Sequence, residues 1–468
     1  MNAEDLCYTP AIELARLIRE KAISPVEVTR TLLERIEAIN PKLNAYCTLT
    51  GDAAMDQARS AENAVMRGGV HGPLLGVPYS VKDLLITKGV RTMRGSRIHA
   101  EFVPGEDTPP VERLRAAGGI MLGKTATPEF GWKGVTDSPL TGITRNPWNT
   151  GMTPGGSSGG AAAQIASGLG PLAIGTDGGG SIRIPAGFAG VFGLKPSYGR
   201  VPVYPASHHD LLSHAGPLTR TVADAALMLK VMAGPDPRDR LSLEAPPEDY
   251  PAVLARKMGS ARFAWSPDLG YARVHPEVAR ICSHAARVFE ELGCTVEEVN
   301  PGFGDPAPYF GTLYRTALAG GLRDAFPQWK DKMDPGLVDL YHKGEGVTGV
   351  EFVQAQIARH QFCDRVRRFF EDYDFLLTPT LAVPAFPAGQ LAPDPEETDD
   401  EAMWAWTPFS YPFNLTGQPA ASLPAGFTSD GLPVGLQVVG RRFDDAGVLR
   451  VSAAFEEARP WAGRRPAL

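Results

Sequence analysis

Cysteine is scarce in this chain and scattered. Cys7, Cys47, Cys282, Cys294 and Cys363 are spread over 468 residues, and no two stand in a CxxC pair. An odd number at wide spacing excludes a disulfide-stapled scaffold and a zinc ribbon, and predicts reduced thiols in a cytoplasmic protein. Long hydrophobic runs are missing too. The most apolar stretch, Ala161 to Gly175, is interrupted by Gln164, Ser167 and three glycines, and it falls short of the roughly 20 residues that span a bilayer. The first ten residues, MNAEDLCYTP, lack the charged-then-apolar layout of a secretion signal. Basic charge is in deficit, 46 Lys and Arg against 53 Asp and Glu for a net −7, with no long basic run. A protein that holds a phosphate backbone shows a basic patch, so nucleic acid is excluded as the main partner. Internal repeats and heptads are absent.

What the chain has in excess is glycine and proline. The 51 Gly and 42 Pro make up about a fifth of the residues, against about 12% in average proteins. With 43% hydrophobic residues beside them, they signal tight turns and close backbone approaches rather than disorder.

Periodicity then orders the chain. Residues 11–38 carry apolar positions at helical spacing, with Ser24-Pro25 as an N-cap followed by a first-turn proline. From Leu74 the texture becomes short apolar runs between glycines and prolines: LLGVPYSVKDLLI, GGIMLGKT, PLAIGTD and VFGLKPSYG. Such runs, set between helical patterns such as 221–232, predict strands buried on both faces of a parallel or mixed sheet. RFAW, CTVEEV, DFLLTPT (374–380) and LPVGLQVVG (432–440) continue the strands. Helical patterns at 276–292, 350–371 and 444–457 lie between or after them. The stretches 235–251 and 387–402 read as polar excursions. The fold class is α/β, with a single large mixed β-sheet flanked by helices on both faces.

The segment GGSSGGAAAQIASGLGPLAIGTDGGGSIRIP, Gly155 to Pro185, predicts a site from geometry. Ser157 and Ser158 precede an alanine-rich helical run. About ten helical residues descend roughly 15 Å, and PLAIGT returns about 20 Å as a strand. Ser157 and Ser181 therefore become neighbours. Gly178, Gly179, Gly180 and Ser181 offer backbone N–H groups with little in the way, suited to holding an oxyanion. A serine nucleophile needs a proton acceptor. None of the histidines offers one plainly, and His208, His209 and His214 lack the carboxylate or cysteine company of a metal site. Lys82, on the same strand face as Ser80 and opposite Val77, Tyr79 and Val81, is the better base. Burial would lower its pKa by about 3 units and leave it neutral near pH 7.

These residues resemble the amidase signature family. The likeness rests on PLLGVPYSVKD, TPGGSSGGAAA, GTDGGGSIRIPA, GLKPSYGR, GPLTRTVADAA, PFNLTGQPAASLP and GLPVGLQVVG. It implies one amidase domain over residues 1–468. The signature core spans about 70–235 and its C-terminal part 371–468, with a less diagnostic, substrate-shaping region at 236–370. The resemblance makes Lys82 the catalytic lysine, Ser157 a bridging serine after a cis peptide bond, and Ser181 the nucleophile of an acyl-enzyme. Gly178, Gly179, Gly180 and Ser181 become the oxyanion hole, supported by Asp177, Arg183 and Ser158. It implies no metal or organic cofactor and, for many relatives, a homodimer. The expected substrate is a small non-peptide amide, apolar or aryl. Gly131, Trp132, Trp404, Trp406 and Phe409 are expected to shape its pocket.

Competing readings remain: a carbamate, urethane or ester hydrolase with the same groups, the glutamine-hydrolysing component of a tRNA-dependent amidotransferase, or a silent scaffold. The segment after Pro308 does not resemble that component's glutamine-recognising stretch. Three other motifs fail on context. Ser158 satisfies GxSxG, but the last histidine, His360, lies too early for an α/β-hydrolase. Gly118–Thr125 satisfies GxxxxGK[ST], but its interior is strand-like. The GxGxxA at Gly168 is followed by a strand where a dinucleotide site needs a helix.

Overall fold

The structure is a computed structural model that describes residues 2–209, 211–246, 248–256 and 258–468. Its strands are β1 Tyr46–Leu49, β2 Pro78–Lys82, β3 Ile120–Thr125, β4 Asp137–Ser138, β5 Gly142–Ile143, β6 Leu172–Asp177, β7 Phe192–Lys195, β8 His214–Thr219, β9 Arg262–Trp265, β10 Thr295–Glu298, β11 Phe375–Pro379, β12 Ala420–Phe427 and β13 Pro433–Gly440. Eleven of them form one mixed sheet in the order β1-β3-β2-β6-β8-β7-β12-β13-β11-β9-β10, and β4 and β5 pair separately. β2 lies between β3 and β6, parallel to both. From β6 to β11 the neighbours run antiparallel.

Side-chain alternation divides the core between the two sheet faces. Val77, Tyr79 and Val81 join Leu172, Ile174, Phe263, Leu436 and Val438 in one apolar cluster. That face is covered by the helices Val222–Met232, Pro276–Glu291 and Asp445–Ala458. The opposite face carries Ala173, Ala264 and Val439 against the helices Gly159–Ala166, Arg183–Ala189 and Ala307–Leu322. Lys82, an even-numbered residue of β2, belongs to this second face.

Local signals explain most elements. The Ser24 hydroxyl accepts N–H bonds from Val26 at 3.0 Å and Glu27 at 3.4 Å, so the Ser-Pro start of the helix Pro25–Leu43 is as expected. Thr221 caps Val222–Met232 through the Asp224 N–H. Pro109–Ala116 is a helix and Ile120–Thr125 a strand, which removes the phosphate-loop motif. Three strands of the main sheet are not marked by the sequence pattern. β1 is only four residues long, while Pro217 interrupts β8 and Pro424 interrupts β12. β12 tolerates its proline through a register shift between Pro424 and Gly426.

The 387–402 excursion is exposed through Asp394–Asp399, but Asp400 is buried and starts a helix. Arg315 at 2.6 Å and Lys343 at 3.1 Å neutralise it. No helix among the described residues is long and apolar enough to cross a membrane.

Candidate active site

The polypeptide brings Lys82, Ser157 and Ser181 together by close backbone packing. The helix that opens after Ser158 is eight residues long, Gly159–Ala166, somewhat shorter than the sequence pattern suggests. It can approach β3 only because position 160 lacks a side chain: a Cβ there would sit 2.4 Å from both the Ala126 nitrogen and the Ala45 oxygen. Gly156 is equally constrained, 2.4 Å from the Val135 oxygen. The return through β6 brings Ser181 back, and the Ser158 N–H donates to the Ser181 carbonyl at 3.1 Å. The Gly156–Ser157 peptide bond is cis.

Lys82 ends β2 with no solvent exposure. Its Nζ lies 2.7 Å from Ser157 Oγ, 2.9 Å from Ser158 Oγ and 2.9 Å from Thr176 Oγ1. Desolvation pushes its pKa well below 10.5, and the charge of Asp177 opposes this only in part. The lysine is therefore more buried than the partial desolvation expected from the sequence. A neutral amine has two N–H donors and one lone pair. The Ser158 hydroxyl spends its proton on the Thr176 carbonyl at 3.1 Å, so it accepts from Lys82. The lone pair is left for a proton of Ser157 or Thr176.

The glycine loop is fixed from below by a buried ion pair. Arg183 Nε and Nη2 donate to the two Asp177 carboxylate oxygens at 3.0 and 2.9 Å. Its remaining donors reach the Ser410 carbonyl, Gln437 and Asn414. Burial opposes the Asp177 charge, yet the Arg183 guanidinium beside it holds the carboxyl below the usual carboxylate range. Asn414, from PFNLTGQP, bonds Asp177 as well, at 2.8 Å.

One expected donor is corrected here. The Gly180 N–H points down to Asp177 Oδ1 at 2.7 Å and is already committed. The N–H groups of Gly178, Gly179 and Ser181 have no acceptor among the described residues. Gly180 has another role: with φ at +132° and a would-be Cβ 2.4 Å from Ser410 Oγ, only glycine fits the bend.

Above the loop lies a cavity of about 330 Å³, bordered by Ser157, Ser181, Gly178 and Gly131 and walled by Leu84, Ile86, Phe130, Val203 and Tyr314. A narrow crevice of about 20 Å³ on another side of Ser181 is lined by Trp132, Trp404, Met403 and Tyr314. Gly131, Trp132 and Trp404 thus border Ser181. Trp406 and Phe409 do not. Trp406 stacks on Phe188 with ring centroids 5.7 Å apart, and its indole N–H donates to the Leu391 carbonyl. Phe409 is fully buried in the core. Chain proximity to Trp404 suggested a common wall, but the helix Asp400–Trp406 turns successive rings to different sides.

Tyr314, Phe130 and the histidines are wall residues that sequence reasoning missed. Tyr314 comes from the helix Ala307–Leu322 and donates to the Trp132 carbonyl at 2.9 Å. His209 stacks on Tyr314 at 4.1 Å, and burial lowers its pKa to about 3. His208 borders the same cavity and is shifted down by burial. His214 bonds the Leu212 carbonyl through Nδ1 at 2.8 Å and faces Lys195 Nζ at 3.3 Å. Among the described residues no cluster of His, Cys, Asp or Glu is arranged to hold a metal ion.

Comparison with known proteins puts this geometry in context. The family profile described as Amidase matches residues 27–449. The chain is 40% identical to an acylamidase of Rhodococcus erythropolis, over 100% of this chain and 99% of that one. It is 38% identical to the GatA-type component of the glutamyl-tRNA(Gln) amidotransferase of Moorella thermoacetica, over 99% of each. The solved structure of a bacterial aryl acylamidase of the amidase signature enzymes superposes with a TM-score of 0.91 at 32% identity, covering 98% of this chain and 99% of the other.

Proposed function

The chain belongs to the amidase family and is a hydrolase of amide C–N bonds, and we propose that it works through Ser181, Ser157 and Lys82. Lys82, neutral because it is buried, accepts a proton from the Ser157 hydroxyl at 2.7 Å. Ser157 in turn takes the proton of Ser181 as the Ser181 oxygen bonds to the amide carbonyl carbon. The carbonyl π electrons move to oxygen, and the N–H groups of Gly178, Gly179 and Ser181 stabilise the oxyanion. The C–N bond breaks as the relay returns the proton to the leaving nitrogen. The acyl group then stays on Ser181 as an ester. Water attacks that ester, losing its proton to the same relay, and Ser181 leaves with a proton.

The observation that carries this reading is the contact between a fully buried, neutral amine and Ser157 Oγ at one end of the cavity that Ser181 also borders. The substrate proposed is a non-peptide amide with an apolar or aryl part. Support comes from the walls of Leu84, Ile86, Phe130 and Tyr314 and from the names of the acylamidase relatives. The region 236–370 takes part in shaping that pocket, since it supplies Tyr314. A second reading, glutamine hydrolysis within an amidotransferase, is favoured by the amidotransferase relatives.

The test is to quench turnover of 4-nitroacetanilide and search digested enzyme by mass spectrometry. An acetyl adduct on the Ser181 peptide, absent from Ser181→Ala, is expected. An adduct on another residue would sink the assignment. Turnover of free glutamine above that of anilides would favour the amidotransferase reading.

A further inference from the structure

Arg94 borders the cavity with Ser181 and stands there without a partner. Its guanidinium makes no hydrogen bond, ion pair or ring contact with the described residues, and Nε is buried without an acceptor. Arg183, 89 positions later, has all its donors engaged. An unpaired buried donor costs free energy, and a charged one costs more. The carboxylate whose charge reaches Arg94 is Asp83. That group accepts from the Met93 N–H at 3.0 Å and lies 3.9 Å from Lys124.

The backbone at Arg94 is held in position against its own preference. Its φ of 54° is in the left-handed region, which costs a non-glycine residue about 1 kcal/mol. Two hydrogen bonds fix it there. The Arg94 N–H donates to the Asp83 carbonyl at 3.1 Å, next to Lys82, and the Arg94 carbonyl accepts from the Phe130 N–H at 2.8 Å, next to Gly131. Gly95 follows at φ 64° with no space for a side chain, since a Cβ would meet the Thr127 oxygen at 2.6 Å. Phe130 is itself at φ 52°. Two left-handed residues tied to each other therefore both border the cavity, and strain of this kind collects at binding sites. No Asp or Glu lines the cavity among the described residues. Its histidines are held toward the neutral form by burial.

We propose that Arg94 receives a carboxylate of the substrate, so that the preferred amides join an apolar body to one anionic end. This rests on the cavity at Ser181 being the substrate site. A guanidinium pairs with a carboxylate through two parallel N–H bonds, which would satisfy the donors now unpartnered. The carboxylate could sit on the acyl side or on the amine side of the scissile bond, and two substrate pairs separate these cases. The acyl-side pair is glutaric acid mono-4-nitroanilide against pentanoic acid 4-nitroanilide. The amine-side pair is 4-acetamidobenzoate against 4-acetamidotoluene.

In one of the two pairs the wild type is expected to favour the anionic member by about tenfold or more in kcat/KM, chiefly through KM. Arg94→Gln should collapse that ratio toward one, and Arg94→Lys should restore part of it. Preference for the neutral member in both pairs, or a ratio unchanged in Arg94→Gln, overturns the proposal. Calorimetry in the Ser181→Ala background reads binding without turnover: tighter binding of the anionic member, weakened by adding Arg94→Gln, is expected, and equal affinities overturn it. Wild-type enzyme that cleaves none of the four amides would count against the Ser181 mechanism, while the calorimetric comparison would still decide the role of Arg94.

Discussion

At the scale of single residues the chemistry depends on what burial does to one amine. Lys82 is desolvated, so its folded pKa lies well below 10.5. Activity should follow the neutral form: kcat/KM is expected to fall on the acid side as Lys82 takes up a proton and to level off above it. A pH–rate profile checks this, and a maximum at acid pH would contradict it. The same shift sets a stability slope. Below pH 10.5 the unfolded chain protonates this lysine while the folded chain resists, so the lysine favours folding less as pH falls toward the folded pKa. Ser181→Ala is expected to lower kcat by at least about a thousandfold. Lys82→Ala should lower it by about a hundredfold to ten-thousandfold. Near-native rates in either variant, measured on an anilide, would end the mechanism. Lys82 and the two serines were legible in the sequence because strand alternation and a helix-then-strand return fix their positions locally. Arg94, Tyr314 and His209 were not. Nothing near them in the chain says which cavity they face.

At the scale of elements, glycines decide how closely the site's segments pack. Gly160→Ala would push a methyl group onto the Ala126 and Ala45 backbone. It should lower unfolding free energy by about 1–3 kcal/mol, checked by denaturant titration. The Asp177–Arg183 pair anchors the loop before Ser181. Arg183→Met would leave the Asp177 carboxylate buried without its cation, at a cost of about 3–5 kcal/mol in the same measurement. An unchanged midpoint in either variant would contradict this account. Elements with strong local signals were read correctly, such as the Ser24 cap and the apolar runs at β2, β3 and β6. β8 and β12 escaped because each contains a proline, which speaks against a strand until its neighbours in the sheet supply the remaining hydrogen bonds. Trp406 and Phe409 were assigned to the pocket wall by chain proximity, and helix geometry turned them into the core.

At the scale of the whole molecule, one sheet links segments far apart in the chain. β9 and β10, from the less diagnostic region, extend the sheet beyond β11. We therefore expect residues 1–468 to unfold as a single domain, with circular dichroism and tryptophan fluorescence giving coincident transitions. An early, separate transition would divide the region 236–370 from the rest. By itself the sequence determined the α/β class, the family and the residues meeting at Ser181, because those features follow from short-range periodicity and from glycines needed at fixed spacing. The tertiary structure decided which aromatic rings face the cavity, that the Gly180 N–H is taken by Asp177, and that Arg94 stands unpaired beside Ser181. Each of these depends on contacts between residues distant in the chain, whose partners are set only once the sheet and its covering helices have packed.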